Sequence, residues 1–183
     1  MMFKMPRILG SLVPVAGLLV AGCSSDSDSK SASSCPYTAV LAPTSSLTVF
    51  QPGKEGDSTA ELYRVGIAGV KSACVLDADN GVTDSTLELT FKATRAAPGG
   101  KVSHRVPYYV AVTLGGEVLA KNDFWVTFSF ADGATQSAFT DEVASTRINL
   151  ENGKKPYDYG ILAGMQLTHS QLEYNRKMSR YSP

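Results

Sequence analysis

The sequence predicts an all-β fold. The expected architecture is an antiparallel β-sandwich of immunoglobulin or fibronectin type, about seven to nine strands in two sheets, with one short C-terminal helix. Three observations predict it. Apolar residues recur with a period of two and not 3.6, turn residues punctuate the chain at short intervals, and no long helical segments alternate with the strands. A small barrel is the alternative architecture for the same signals.

Residues 38–41 and 47–50 read as the first two strands, and residues 60–67 and 73–76 as two more. Residues 87–93, LELTFKA, alternate apolar with polar, the pattern of a half-buried strand. Residues 106–114, VPYYVAVTL, are β-branched and aromatic with almost continuous apolar character, which predicts a central strand. Residues 118–120 and 123–130 follow. In the latter, Phe124, Val126, Phe128 and Phe130 share one face, while Trp125 and Thr127 point the other way. Residues 143–150 and 160–166 complete the set. Asn80-Gly81 suits a tight hairpin turn because both positions tolerate positive φ. Ala97-Pro98-Gly99-Gly100, Gly115-Gly116 and Asp132-Gly133 are turn signals of the same kind.

The helix signal lies near the C-terminus. Thr168 and Gln171 have the spacing of a capping box, in which each side chain satisfies the other's backbone N–H. Residues 169–178 favour a helix, and Arg176, Lys177 and Arg180 suit the negative end of its dipole. Leu172, Tyr174 and Met178 are the main apolar positions, so a narrow buried stripe on the sandwich surface is expected.

The chain of 183 residues is within the range of a single domain. Apolar residues make up 43% and charged residues 19%, enough for a core and too few charges for a disordered chain. Seventeen basic residues balance seventeen acidic ones, unlike the basic footprint of a nucleic-acid binder. The N-terminus departs from this average. Lys4 and Arg7 precede residues 8–21, a run of 14 residues interrupted only by Gly10, Ser11, Pro14 and Gly17. A basic start before a short apolar run reads as a secretory signal over residues 1–22. The alternative is a transmembrane anchor, but a span needs about 20 apolar residues.

The signal ends in Val20-Ala21-Gly22-Cys23. This resembles the lipobox of bacterial lipoproteins, where the cysteine thiol accepts a diacylglyceryl group. The resemblance implies cleavage before Cys23 and acyl chains such as palmitate on its sulfur and amine. Ser24 follows, where many Gram-negative lipoproteins retained in the inner membrane carry Asp, so the resemblance implies an outer-membrane lipoprotein facing the periplasm. Two or more acyl chains make a durable anchor, each buried CH₂ contributing about 0.8 kcal/mol. The partner so implied is the lipid bilayer, reached through Cys23.

Residues 24–34, SSDSDSKSASS, carry no large apolar group, so residues 23–34 read as a lipidated cysteine and flexible tether before a domain at 35–183. Eleven such residues reach about 18 Å on average and about 37 Å at full stretch. Removal of residues 1–22 takes away Lys4 and Arg7, leaving 17 − 2 = 15 bases against 17 acids, a net charge of −2. With Cys23 assigned to lipid, Cys35 and Cys74 remain, in a compartment where thiols pair. A bridge across 74 − 35 = 39 residues stabilises by roughly 4 kcal/mol in the loop-entropy model. The alternatives are a reactive thiol or a metal ligand, and no His or Cys stands at metal-ligand spacing from either.

Further segments resemble a group of small proteobacterial lipoproteins. They are Cys35-Pro36-Tyr37, residues 106–112 (VPYYVAV), residues 118–121 (VLAK), and above all residues 159–168 (YGILAGMQLT) with 172–176 (LEYNR). The resemblance covers nearly all of the mature chain and implies location and architecture, with no catalytic residues to carry over. Its most characteristic part is the segment that forms the helix.

Chemical constellations are sparse. Asp77, Asp79 and Glu88 sketch a calcium loop, but Gly81 stands at the fifth position and Val82 at the sixth, and Glu88 falls in an alternating strand. The reading is a polar hairpin turn, with no metal site. His169 sits in the first helical turn, and His104 lies between Ser103 and Arg105 without a triad's spatial partners. There is no nucleophile elbow, zinc helix or phosphate loop. Asp141 and Glu142 read as a solvated loop. No catalytic residue and no cofactor are therefore expected.

Tyr157, Tyr159, Tyr174 and Tyr181 gather with Lys154, Lys155, Arg176, Lys177 and Arg180, and Tyr with Arg is common at interface centres. Tyr174, Asn175, Arg176 and Lys177 are the candidate partner contact, although the tyrosines can equally pack the helix onto the sheet. The function expected is a non-enzymatic binding or envelope-assembly module for an envelope protein or glycan, with no nucleic-acid partner. The alternative is an envelope glycan or lipid hydrolase with an unidentified carboxylate site.

Overall fold

The computed structural model describes residues 35–179. The signal segment, Cys23, the tether and the last four residues lie outside them. Eight strands form two four-stranded sheets that face each other as a β-sandwich. In chain order they are β1 (Tyr37–Val40), β2 (Ser46–Phe50), β3 (Glu61–Asp77), β4 (Val82–Arg95), β5 (Val102–Leu114), β6 (Glu117–Phe130), β7 (Gln136–Asn149) and β8 (Tyr159–Met165). One helix, α1 (His169–Met178), follows, and single 3₁₀ turns stand at Ala42–Thr44, Ser58–Ala60 and Pro156–Asp158. The first sheet has the order β1-β8-β5-β6 and the second β2-β3-β4-β7. Every pairing is antiparallel except β1 on β8, which is parallel.

The core follows from the alternation. Leu87, Leu89, Phe91 and Ala93 of β4 face inward and are fully buried. They meet Val106, Tyr108, Val110 and Val112 of β5 and the Val126–Phe128–Phe130 row of β6. Each such side chain removed from water contributes about 1.5–3 kcal/mol. Aromatic rings join the sheets: Phe139 of β7 stacks on Phe91 at 5.2 Å and on Phe128 at 4.8 Å. The Tyr108 hydroxyl crosses from β5 to donate to Asp141 Oδ2 of β7 at 2.8 Å.

Several expected boundaries move. Residues 60–67 and 73–76 belong to one strand, β3, kinked by a bulge at Ala68. Residues 118–120 and 123–130 likewise form one strand, β6, bulged at Leu119. Its first seven residues are exposed, so pairing with β5 needs no apolar alternation there. β7 begins at Gln136, ahead of the expected start at 143, and absorbs Asp141 and Glu142. Those two acids alternate faces and are not a loop: Asp141 turns toward Tyr108 and Glu142 outward. The turns sort by length. Gly115 and Gly116, with φ of 58° and 92°, make the two-residue β5–β6 hairpin. At Asn80-Gly81 only the glycine has positive φ, because β3 and β4 are joined by a four-residue loop, 78–81.

Three fastenings hold the halves together. The disulfide Cys35–Cys74 joins the chain two residues ahead of β1 to β3, and so one sheet to the other, with a Cα separation of 5.8 Å. Arg95 ends β4 and clasps both crossover loops, donating to Ala134 O at 2.7 Å, Gly99 O at 2.8 Å, Gly100 O at 3.1 Å and Ala131 O at 3.2 Å. The helix covers the edge where the chain passes from β1 to β2. Its capping box forms as the spacing predicts, with Gln171 N donating to Thr168 Oγ1 and Thr168 N to Gln171 Oε1. Ser179 ends it in the left-handed region, φ 50°.

Candidate functional site

The two outer faces of the sandwich differ. On the second sheet the outward positions are mainly polar, Arg64, Lys71, Glu88, Lys92, Thr140 and Glu142 among them, with Lys71 Nζ 3.4 Å from Glu88 Oε1; Leu62 and Val75 stand exposed toward the two ends of β3 on the same face. On the first sheet the outward positions of β5 and β8 are Pro107, Tyr109, Ala111, Thr113, Gly160, Leu162 and Gly164. Residues 106–114 lack alternation because side chains on both faces of β5 are largely apolar and, from Tyr108 to Thr113, buried: the inner ones in the core and the outer ones, Tyr109, Ala111 and Thr113, under neighbouring side chains of the first sheet.

Two glycines shape the floor of that face. Tyr37 of β1 is the register partner of Gly160, and Tyr109 of β5 that of Gly164. Each ring lies over its glycine, and a Cβ at either position would collide with it. The Tyr109 hydroxyl shares a 2.8 Å hydrogen bond with Thr44 Oγ1. Between β6 and the start of α1 the face deepens into an apolar groove of about 300 Å³, walled by Leu41, Val118, Leu167 and Leu172 over Ala111 and Leu162. Lys121 crosses one end, its Nζ 4.7 Å from the Tyr109 ring centre and donating to Gln166 Oε1 at 2.6 Å. Asp123 Oδ1 lies 3.2 Å from the same ammonium. Farther along β6, Trp125 is 55% exposed with the Arg105 guanidinium 4.9 Å above its ring. Tyr37 (52%), Leu41 (41%) and Val118 (63%) complete an exposed apolar rim.

The candidate partner contact divides. Arg176 and Lys177 are exposed, and Arg176 pairs with Glu173 at 2.7 Å. Tyr174 and Asn175 are buried and serve the helix, not an external surface. Tyr174 packs edge-on against Phe50 at 4.9 Å with its hydroxyl on Glu61. Asn175 Nδ2 donates to Ser46 O at 2.7 Å and Pro43 O at 3.2 Å. Cys35 and Cys74 are the bridge, and Cys23 lies outside the described residues.

The other constellations resolve into structure. Asp77 accepts from the Asn80 side chain at 2.7 Å and its backbone N at 3.1 Å, which holds the carboxyl below its ordinary range. Glu88 points from the outer face of β4. No group of three or more His, Cys, Asp or Glu residues capable of holding a metal ion occurs among the described residues. His104 stacks on Tyr63 at 4.2 Å and on Phe128 at 5.5 Å. Burial, then the nearby Arg95 charge, lowers its pKa. Ser103 turns away and bonds Ser129 Oγ at 2.6 Å. Burial, then the hydrogen bond and charge of Asp141, raise the Tyr108 pKa well above the ordinary phenol value.

The groove and its rim escape a reading by sequence motif. The signal present was the missing alternation in VPYYVAVTL together with the small residues of YGILAG, which only strand pairing brings side by side. No helix among the described residues is long and apolar enough to cross a membrane. Comparison with protein-family models, curated proteins and solved structures finds no match to this chain.

Proposed function

We propose that this protein is an outer-membrane lipoprotein of the small proteobacterial kind, facing the periplasm and anchored by acyl chains on Cys23. Its sandwich, of immunoglobulin or fibronectin type, serves as a non-enzymatic binding or assembly module. The observation that carries the reading is the apolar groove with its exposed aromatic rim, Trp125 and Tyr37, on the outer face of the first sheet; the opposite outer face is mainly polar, with Leu62 and Val75 exposed near the ends of β3. Contiguous apolar surface on a folded domain marks a contact site. The disulfide supports an oxidising compartment. The contact surface is the outer face of the first sheet, and its occupant is an apolar component of the envelope. The hydrolase alternative gains nothing from the groove, whose lining includes Lys121 and no carboxylate.

Two measurements test this. Mass spectrometry of the purified native protein should find an N-terminus at Cys23 bearing acyl groups. A photo-crosslinker at Val118 in intact cells should capture a defined envelope component that the same probe at Lys92, on the mainly polar face, does not. An unmodified Cys23, or identical capture from both positions, overturns the proposal.

A further inference from the structure

We infer that the outer face of the first sheet rests on the bilayer, with Trp125, Tyr37 and Val118 in the headgroup zone. This rests on the proposed acylation of Cys23 and names the occupant of the same face.

The first argument is where the undescribed chain arrives. It joins the body at Cys35, two residues before Tyr37, whose ring lies on this face. The disulfide fixes that entry point to β3. From Cys23 to Cys35 is 35 − 23 = 12 residues, about 19 Å on average and about 40 Å at full extension. Four strands at about 4.8 Å spacing make a sheet about 15 Å across, and Trp125, on the row of Pro107, stands six residues or about 20 Å along β5 from the row of Thr113 that holds Tyr37 and Val118, so all three side chains lie within reach of a membrane that holds the acyl chains.

The second argument is chemical. Trp and Tyr favour the membrane interface because one end of each ring is apolar and the other polar. Arg and Lys accompany them by extending a charge toward the headgroups along an apolar stem. Trp125 with Arg105, and Tyr109 with Lys121, place a cation over an aromatic ring twice on this face. The opposite outer face has the Lys71–Glu88 pair, Lys92 and Glu142, and its exposed apolar residues, Leu62 and Val75, stand apart near the two ends of β3 with no aromatic ring or groove between them. A bilayer takes such a face as a whole, whereas a single apolar peptide would fill the groove and leave Trp125 and Tyr37 in water.

Trp125 is the sole tryptophan, so its emission reports on this face. The mature acylated protein would be reconstituted in phosphatidylethanolamine–phosphatidylglycerol vesicles carrying doxyl-labelled lipids. Insertion to about 5–10 Å predicts quenching by a label at acyl carbon 5 at least about twofold stronger than by one at carbon 16, with protection from aqueous acrylamide. Val118→Glu together with Tyr37→Asp changes two exposed side chains. It should lower the lipid quenching at least twofold while the protein still floats with the vesicles. If the wild-type protein floats but Trp125 answers acrylamide and not the doxyl lipids, the bilayer contact is wrong and the anchor stands. If it does not float and Cys23 is unmodified, both fall. Capture of a protein and no lipid by a crosslinker at position 118 in cells also overturns the bilayer as occupant.

Discussion

A methyl group at Gly160 would collide with the Tyr37 ring and Thr113 Oγ1, and one at Gly164 with Thr44 Oγ1 and the buried Tyr109 ring. Gly164→Ala should therefore destabilise the protein by about 1–3 kcal/mol, read from the midpoint of urea unfolding. Gly100→Ala, where a Cβ meets open space, is the control. His104 supplies a second residue-scale test. Its folded pKa is lowered from 6.5 by burial and by Arg95. As pH falls through 6.5 the unfolded chain takes up the proton first, so stability present above that value is lost toward the lower folded pKa. Urea unfolding at stepped pH should show this loss, and His104→Phe should flatten it. At this scale the sequence was least legible. Tyr174 and Asn175 read as contact residues because helix spacing does not reveal that Asn175 meets the carbonyls of Ser46 and Pro43, over a hundred positions away in the chain. Arg95 carried no signal, since its four acceptors are backbone atoms of two loops.

At the scale of elements the sequence was read more fully. The capping box gave the helix start because both of its hydrogen bonds are local. Thr168→Ala should cost about 1 kcal/mol in urea unfolding, with less helical signal in far-ultraviolet dichroism as the first turn frays. The alternation of LELTFKA placed β4, and the unbroken apolar run placed β5 at the centre of its sheet. What failed was continuity. β3 and β6 each read as two strands, because their middle residues lie where neither face needs to be apolar. Bulges at Ala68 and Leu119 shift the period there as well, so a pattern search sees an ending where the backbone pairing continues.

At the scale of the molecule, class and cysteine pairing were legible, and topology was not. Period-two patterning and frequent turns imply two sheets, but the order β1-β8-β5-β6 depends on contacts between the ends of the domain. The parallel pairing of β1 with β8 contradicts a wholly antiparallel expectation, since β1 must run alongside the last strand to reach β2 across the edge. Replacing Cys35 and Cys74 together by Ser should lower stability by about 2–5 kcal/mol, measured against the wild type with and without reductant. Reductant should destabilise the wild type alone. The bridge has a mechanical side as well. A pull on the N-terminal segment would reach β1, four residues long and paired on one side only, and could peel it like a zip. With Cys35 tied to Cys74, the same tension passes by a covalent path into the C-terminal part of a 17-residue strand in the other sheet, which is paired with β4 from Tyr63 to Asp77 and yields only by breaking that long ladder.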